Sequence, residues 1–488
     1  MNDKFDLIII GGGPSGLSLA HCCSNIDGIK ILIVEKEKDI GGCHRVRRVN
    51  RNNEEIFTEH GPRIYSRAYI MFRKLLREMN VDFDDLFEPY KFNITEIGQE
   101  TIWSKLNWTE LGMLSKEFIY LMINIDHGKD ITMKKYMETN GFTFQAKDMI
   151  DRLCRLTDGG DSSKYTLNEF LQLANIQAFY RLYQPKVPSD RGFLKIWRKY
   201  LESRGVTILT STKVDSFVTN TITNNYLKKT LVSGIIANGK MIYGDKIICA
   251  IPPKMLVNLL EKSEESVKSS FGNINELKKY AEETAYIEYI SVTFHWKEKI
   301  KFPKVYGFPR SNWGVLFILL SDYMNFDEKQ SQTVMSVAVS ISDRKGIKIN
   351  KTANECNENE LFSEIIEQLK EVFPEFPEPD LKMISPGNYK NSGNWESLDT
   401  AFIASAGFDY MNFKSSKFDN LYTVGTHTGN HKYKFTSLES AISNGISLSH
   451  KLYPELERKY SLERSITIRD TIISLILLIL IYILIKKN

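Results

Sequence analysis

Gly11, Gly13 and Gly16 stand in the pattern G-x-G-x-x-G across Gly11-Gly12-Gly13-Pro14-Ser15-Gly16. That spacing suits the binding of a phosphate diester. Gly11 permits a tight turn, Gly13 lets the backbone approach a pyrophosphate, and Gly16 allows the following helix to pack closely on the preceding strand. The pyrophosphate charge is met by the helix N-terminus, where Pro14 and Ser15 open the first turn. Glu35 follows about twenty residues on, where a carboxylate accepts hydrogen bonds from ribose hydroxyls. Other chemistries lack their residues: there is no G-x-S-x-G and no H-E-x-x-H. His427 and His431 have the i, i+4 spacing of a helical metal site, but Gly429 lies between them, so they read as a loop and no metal is expected.

The elements that must position these residues follow from the apolar pattern. A strand at Phe5–Ile10 runs into the glycine turn, a helix continues to about Ser24, and a second strand at Ile29–Val34 ends on Glu35. Helical patterns fill much of Trp108–Ala174, another helix covers Gly192–Ser203, and short strands fall at Val206–Leu209 and Lys246–Ala250. This order describes an α/β domain interrupted by another. With 488 residues, 42% of them hydrophobic, the chain exceeds one compact core, and two joined domains are expected.

The net charge of +4 is the small difference between 64 basic and 60 acidic side chains, with no basic stripe interleaved with aromatics. Nucleic acid is therefore not an expected partner. The six cysteines, Cys22, Cys23, Cys43, Cys154, Cys249 and Cys356, show no C-x-x-C pair and no secreted-type spacing, and read as reduced cytosolic thiols. Leu7–Ile10 leads directly into glycines the mature fold requires, so no signal peptide is expected there. At the other end, Thr471–Ile485 is fifteen residues without a charge. At about 1.5 Å per residue this falls short of a bilayer core of about 30 Å. A span starting at Ile466 suffices if Arg469 and Asp470 sit at the interface, where arginine snorkels. A tail anchor over 466–485 is expected, with the body in the cytosol and the charged stretch 456–465 as a linker.

Six residues after Glu35, Gly41-Gly42-Cys43-His44-Arg45 resembles the E-x5-G-G-R signature of the flavin amine oxidase superfamily. There the glycine pair, here Gly41 and Gly42, brings backbone amides to the FAD phosphates. Cys43 replaces the signature arginine, and Arg45 is the phosphate contact the resemblance implies, with Arg47 and Arg48 as surface charges. Phe57-Thr58-Glu59-His60-Gly61-Pro62-Arg63 is similar to the F-E-x-G-P-R stretch of protoporphyrinogen oxidases, a branch of that superfamily, which passes near the flavin ring. Gly205–Val214 resembles the family strand whose last valine, here Val214, contacts adenine through its backbone, and Lys246–Pro253 matches the strand and loop closing that lobe.

Leu421–Thr426 followed by Thr436–Gly445 resembles the family's closing motif, with Thr426 after Gly425 in place of an acid. The helix beginning near Leu438 would point its amides at flavin N1 and O2, as an oxyanion hole does.

The resemblance implies a discontinuous Rossmann-like FAD-binding domain at 1–90, 190–270 and 400–455 and an inserted α+β substrate domain at 91–189 (mostly helical) and 271–399, ahead of the C-terminal transmembrane helix already expected from the apolar run. It implies non-covalent FAD, since Asn430-His431-Lys432-Tyr433 offers no thiol, and hydride removal from a C–N or C–C unit of an amine or lipophilic small molecule. Amine oxidases commonly carry a lysine before a strand comparable to Tyr289–Trp296; Tyr289 stands there, which tilts the reading toward the protoporphyrinogen oxidase or desaturase-like branch. Among aromatics that could flank a substrate, Tyr433 and Trp395 are the candidates. Two alternatives remain open: a UDP-galactopyranose mutase-like flavoenzyme, from Gly41-Gly42-Cys43-His44 and Gly61-Pro62-Arg63-Ile64-Tyr65, and a non-catalytic FAD-binding membrane protein, from Thr426 and the missing lysine.

Overall fold

Two short apolar runs build the centre of the molecule. β1 (Phe5–Ile10) and β2 (Ile31–Val34) pair in parallel, Leu7 with Ile31 and Ile10 with Val34, joined by α1 (Pro14–Cys23). Leu7 to Ile10 and Ile31 to Val34 are all buried, the signature of parallel strands covered on both faces. The computed structural model describes residues 4–487 apart from 52, 62, 91–101, 225–226, 285–288, 303–310, 327, 330, 400–401 and 430–434.

Further along come α2 (Ile70–Glu78), then α3 (Trp108–Ile123), α4 (Phe144–Asp158) and α5 (Leu167–Gln177). The last three are each opened by an N-cap side chain, Asn107, Thr143 and Thr166 respectively, which accepts from a first-turn amide and so sets where each helix begins. β3 (Thr207–Leu209) adds in parallel to the outer edge of β2, and β4 (Lys240–Cys249) adds in parallel to β1. β4 starts six residues before the apolar run that marks it in the sequence. Its first half is largely exposed and pairs antiparallel with the strand Leu227–Ala237, so only its second half needed to be apolar.

A second, antiparallel sheet follows, with β5 (Ile290–Trp296), β6 (Val315–Leu319) and β7 (Thr333–Val339). β7 is the middle strand between β6 and β5, and Leu381–Ile384 closes the far edge on β5. The helix Glu358–Lys370 covers one face through Leu361, Ile365 and Leu369. The chain then returns: β8 (Leu421–Thr423) pairs in parallel with the second half of β4, completing a seven-stranded sheet. α6 (Leu438–Leu452) packs on α1, with the Ser15 hydroxyl donating to the Ala441 carbonyl at 2.9 Å and the Ser18 hydroxyl to that of Ile442 at 3.2 Å.

The stretch after α6 is not the free linker its charges suggest. Leu456 and Tyr460, one helical turn apart, are buried, and the Tyr460 hydroxyl donates to Glu78 (2.8 Å) and accepts from Asn25 (2.7 Å). Two apolar anchors among the charges lay this segment across α1 and α2. It ends at α7 (Ile468–Lys487), of which Ile468–Lys486 is long and apolar enough to cross a membrane, with a mean hydropathy of 2.5 and no part of that window buried. Arg469 and Asp470 are tied to the body: Arg469 Nε donates to the Met122 carbonyl at 2.9 Å, its amide donates to Asn175 Oδ1 at 3.0 Å, and Asp470 pairs with Arg464 and accepts from Thr467.

Candidate functional site

The glycine turn between β1 and α1 opens a cavity of about 1130 Å³ that runs from Glu35 and Lys36 to Leu173 and Tyr180. Gly11 adopts φ +109°, and a side chain there would collide with the Ala250 carbonyl at the end of β4. Gly16 is set behind the turn; a Cβ would strike the Gly11 carbonyl, so its glycine serves the packing of α1 on β1. Gly13 is the N-cap of α1, with no side-chain cap and Pro14 in the first position, which leaves the helix N-terminus open to a ligand. A Cβ on Gly13 would approach Gly42 Cα at 3.6 Å, so two glycine backbones face each other where side chains would close the gap. Gly41, at φ +124°, holds that second loop, and its amide donates to the Gly12 carbonyl at 2.7 Å. These features fit a dinucleotide diphosphate.

Glu35 is buried at the end of β2. It accepts from the Gly12 amide (2.8 Å) and the Glu37 amide (3.0 Å), and Arg45 Nη2 lies 3.2 Å away. Arg45 lines the cavity, but its guanidinium is engaged by Glu35, Asp399 at 3.6 Å and the Asp39 carbonyl at 2.7 Å, so its evident work is to orient Glu35. Arg47 and Arg48 are not surface charges. Arg47 binds Asp399 through two 2.9 Å hydrogen bonds and Glu37 through one of 3.0 Å, while Arg48 pairs with Asp190 and Glu328. Their strand, Val46–Arg51, faces acids from earlier and later parts of the chain, and forked, charge-assisted arginine–carboxylate pairs are a strong way to hold it in place.

Asp399 is the centre of this network and lines the cavity. Burial raises its carboxyl, but the Arg47 hydrogen bonds and the charges of His60, Arg47 and Arg45 together hold it below the usual range. Nothing in its local sequence marks it, because its partners are some 350 residues away. Cys43 lines the cavity beside Arg63; burial pushes its thiol up, with the Arg63 charge opposing. Burial likewise pushes Glu59 up to about 7, against the pull of Arg63 at 3.9 Å. His44 and His427, also on the cavity wall, are held neutral by burial, His427 down to about 3.

Val214, Gly425, Thr426 and Leu438 all line the same cavity, as do Gly11, Gly13, Pro14, Ser15, Gly42 and Arg63. Gly61, at φ +153°, lies behind the wall against Tyr289 and Ser291. Pro62 and Tyr433 fall outside the described residues. Trp395 is not at the site: it sits in the hairpin strand Asn394–Ser397 under the Lys390 ammonium, packed on the second sheet. Tyr289, at the position compared with the family lysine, donates its hydroxyl to the Arg155 carbonyl. Glu169 on α5 is a further residue without a sequence signal. Its Oε1 accepts from Thr436 Oγ1 (3.3 Å) beside the first turn of α6, its Oε2 is buried without a hydrogen-bond partner, and burial raises it to about 7 against the Thr436 hydrogen bonds.

The opposite end of the cavity is formed by α4, α5 and β6. Leu153, Leu156, Leu173, Leu316 and Ile318 supply most of it, with Thr157, Gln177 and Tyr180 as polar groups. None of these eight side chains is a carboxylate, ammonium or guanidinium.

Residues 9–79 match the model of the NAD(P)-binding Rossmann-like domain. No curated protein matches the sequence. Among solved structures, putrescine oxidase bound to putrescine aligns over 93% of this chain and 99% of its own, with a TM-score of 0.65 and 13% identity. Cyclohexylamine oxidase from Brevibacterium oxydans aligns over 93% and 100%, at 0.59 and 12%. An oxidoreductase from Methanosarcina mazei aligns over 91% and 99%, at 0.59 and 13%. The chain thus has a mixed α/β fold built on a dinucleotide-binding Rossmann-like domain. More particularly, its fold is that of putrescine oxidase and cyclohexylamine oxidase, followed, among the described residues, by one helix long and apolar enough to cross a membrane.

Proposed function

We propose that the chain is an FAD-dependent oxidoreductase that removes a hydride from a C–N or C–C unit of an amine or lipophilic substrate. The observation that carries this reading is the single cavity joining the open N-terminus of α1 to an apolar chamber between α4, α5 and β6. FAD, when bound, would accept the hydride and pass the electrons to oxygen or another acceptor. The residues of this chain bind, orient and exclude water. Gly11, Gly13, Gly42 and the first turn of α1 would hold the diphosphate, Glu35 the ribose, and Val214 the adenine end, without a covalent link. Arg45, Asp399 and Arg47 keep Glu35 and the second glycine loop in place. The leucine-rich chamber keeps the reacting carbon dry, and the uncharged side chains that α4, α5 and β6 contribute to it favour an uncharged substrate unit over a diammonium.

The cofactor domain in this reading is assembled from 1–90, 190–270 and 400–455, with 91–189 and 271–399 forming the substrate domain. α7 would anchor the protein in a membrane with the body in the cytosol. The test is the visible spectrum of the purified protein before and after denaturation. A flavin spectrum with free FAD released into the supernatant is expected, followed by anaerobic bleaching with a lipophilic amine or other reductant. A colourless protein that fails to take up added FAD would overturn the reading.

A further inference from the structure

α3 is sixteen residues long, about 24 Å at 1.5 Å per residue. Glu110, Leu114 and Leu121 face the core. On the opposite side Trp108, Gly112, Ser115, Ile119 and Ile123 recur at intervals of three and four, all exposed and none charged. Trp108 is 89% exposed, Ile123 75% and Ile119 60%. The helix has three charged residues, and two are turned to other uses: Glu110 caps Asn107 and accepts from the Thr143 amide, and Glu117 is bound to His127 at 2.6 Å. The third, Lys116, lies over the Tyr120 ring. An outward helix face in water normally carries the charges. Two further exposed aromatics lie on neighbouring elements: Phe144, beside the Thr143 that Glu110 holds, and Phe179, just past α5.

The position of α7 says what covers this face. α7 leaves the body from the last turn of α3, where Arg469 is bonded to the Met122 carbonyl, and from α5, where Asn175 accepts from its first turn. Ile119 and Ile123 therefore flank the root of the helix that fits a bilayer. A tryptophan and isoleucines in a charge-free stripe, with a lysine at its flank, is the chemistry of the boundary between headgroups and acyl chains. We propose that the outer face of α3 is a second membrane contact, embedded in the interface of the bilayer that α7 crosses. This rests on reading α7 as a membrane span.

The test uses the full chain in phosphatidylcholine vesicles with ordinary or brominated acyl chains. Fluorophores are placed at Ile119→Cys, Ile123→Cys, Leu480→Cys within α7 and Ile347→Cys on a loop outside the patch, with labelled wild type subtracted. The Trp108-dependent emission is taken as the difference from Trp108→Phe. Loss of emission in brominated vesicles at 119, 123, 480 and Trp108, with weak quenching by aqueous iodide there and strong quenching at 347, is the expected result. Quenching by bromine at 480 alone, with 119 and 123 open to iodide, would overturn the proposal while leaving the span intact. Indifference to bromine at 480 as well would overturn both. Shielding of 119 and 123 from both quenchers, with crosslinking between copies, would assign the face to a second copy of the chain and also overturn it.

Discussion

Gly445 is where α6 meets α1: a methyl there would press on Ser15 O and on Leu19 N at 3.1 Å, with the Ser18 hydroxyl nearer still. Backbone atoms cannot give way, so Gly445→Ala is expected to lower stability by about 1–3 kcal/mol, read from the urea midpoint. Glu169 makes a different prediction. Burial raises its carboxyl to about 7 in the folded protein, above the ordinary value, so folding takes up a proton and stability falls as pH rises toward 7. Glu169→Gln is isosteric and does not ionise. The variant should gain on the wild type between about pH 4.5 and 7, by up to about 1.4 kcal/mol per pH unit, and hold a constant difference above. Denaturant titrations at half-unit pH steps check this; parallel curves would show that Glu169 stays ionised. At this scale the glycines and Glu35 were legible because their geometry is settled within a βαβ unit. Asp399 and Glu169 were not, because each acquires its role from groups distant in the chain. Arg45 lines the cavity, yet its guanidinium is taken up by protein carboxylates.

Among the elements, β1, α1, β2 and the helix at 438–452 are readable from apolar runs and glycine punctuation. The early start of β4 was hidden by its polar first half, and the docked segment before α7 by its charges. Tyr460 is what distinguishes that segment from a tether. Tyr460→Phe removes hydrogen bonds to Glu78 and from Asn25 and should cost about 1–3 kcal/mol for the pair. Protease sensitivity after α6 should rise with it. For α7, extraction with alkaline carbonate should leave the full chain with the membrane and release a chain ending at Ser465, since an interfacial helix alone is stripped by that treatment.

As a whole, the molecule shares one cavity among distant parts of the chain: β1–α1, the start of the strand Val214–Asn224, the end of β4 and the region from β8 into α6. A ligand that bridges them stabilises all of them together. Saturating FAD at about 100 times its dissociation constant should add about 2.7 kcal/mol and raise the unfolding midpoint of the body as one transition. Gly13→Val, which fills the gap toward Gly42, should abolish that shift while the unliganded midpoint changes little.

The pairing of α1 with α6 also sets a timetable for the nascent chain. Ser15 and Ala441 are 426 residues apart, so the buried flank of α1 has no native cover until nearly the whole body has been translated. β8, the last strand of the central sheet, arrives just before α6, and α7 follows close behind. Closure of the central sheet and emergence of α7 thus fall close together in translation. A ribosome stalled before β8 would display an unfinished sheet that needs a chaperone, and it would do so before any part of α7 was available to a membrane.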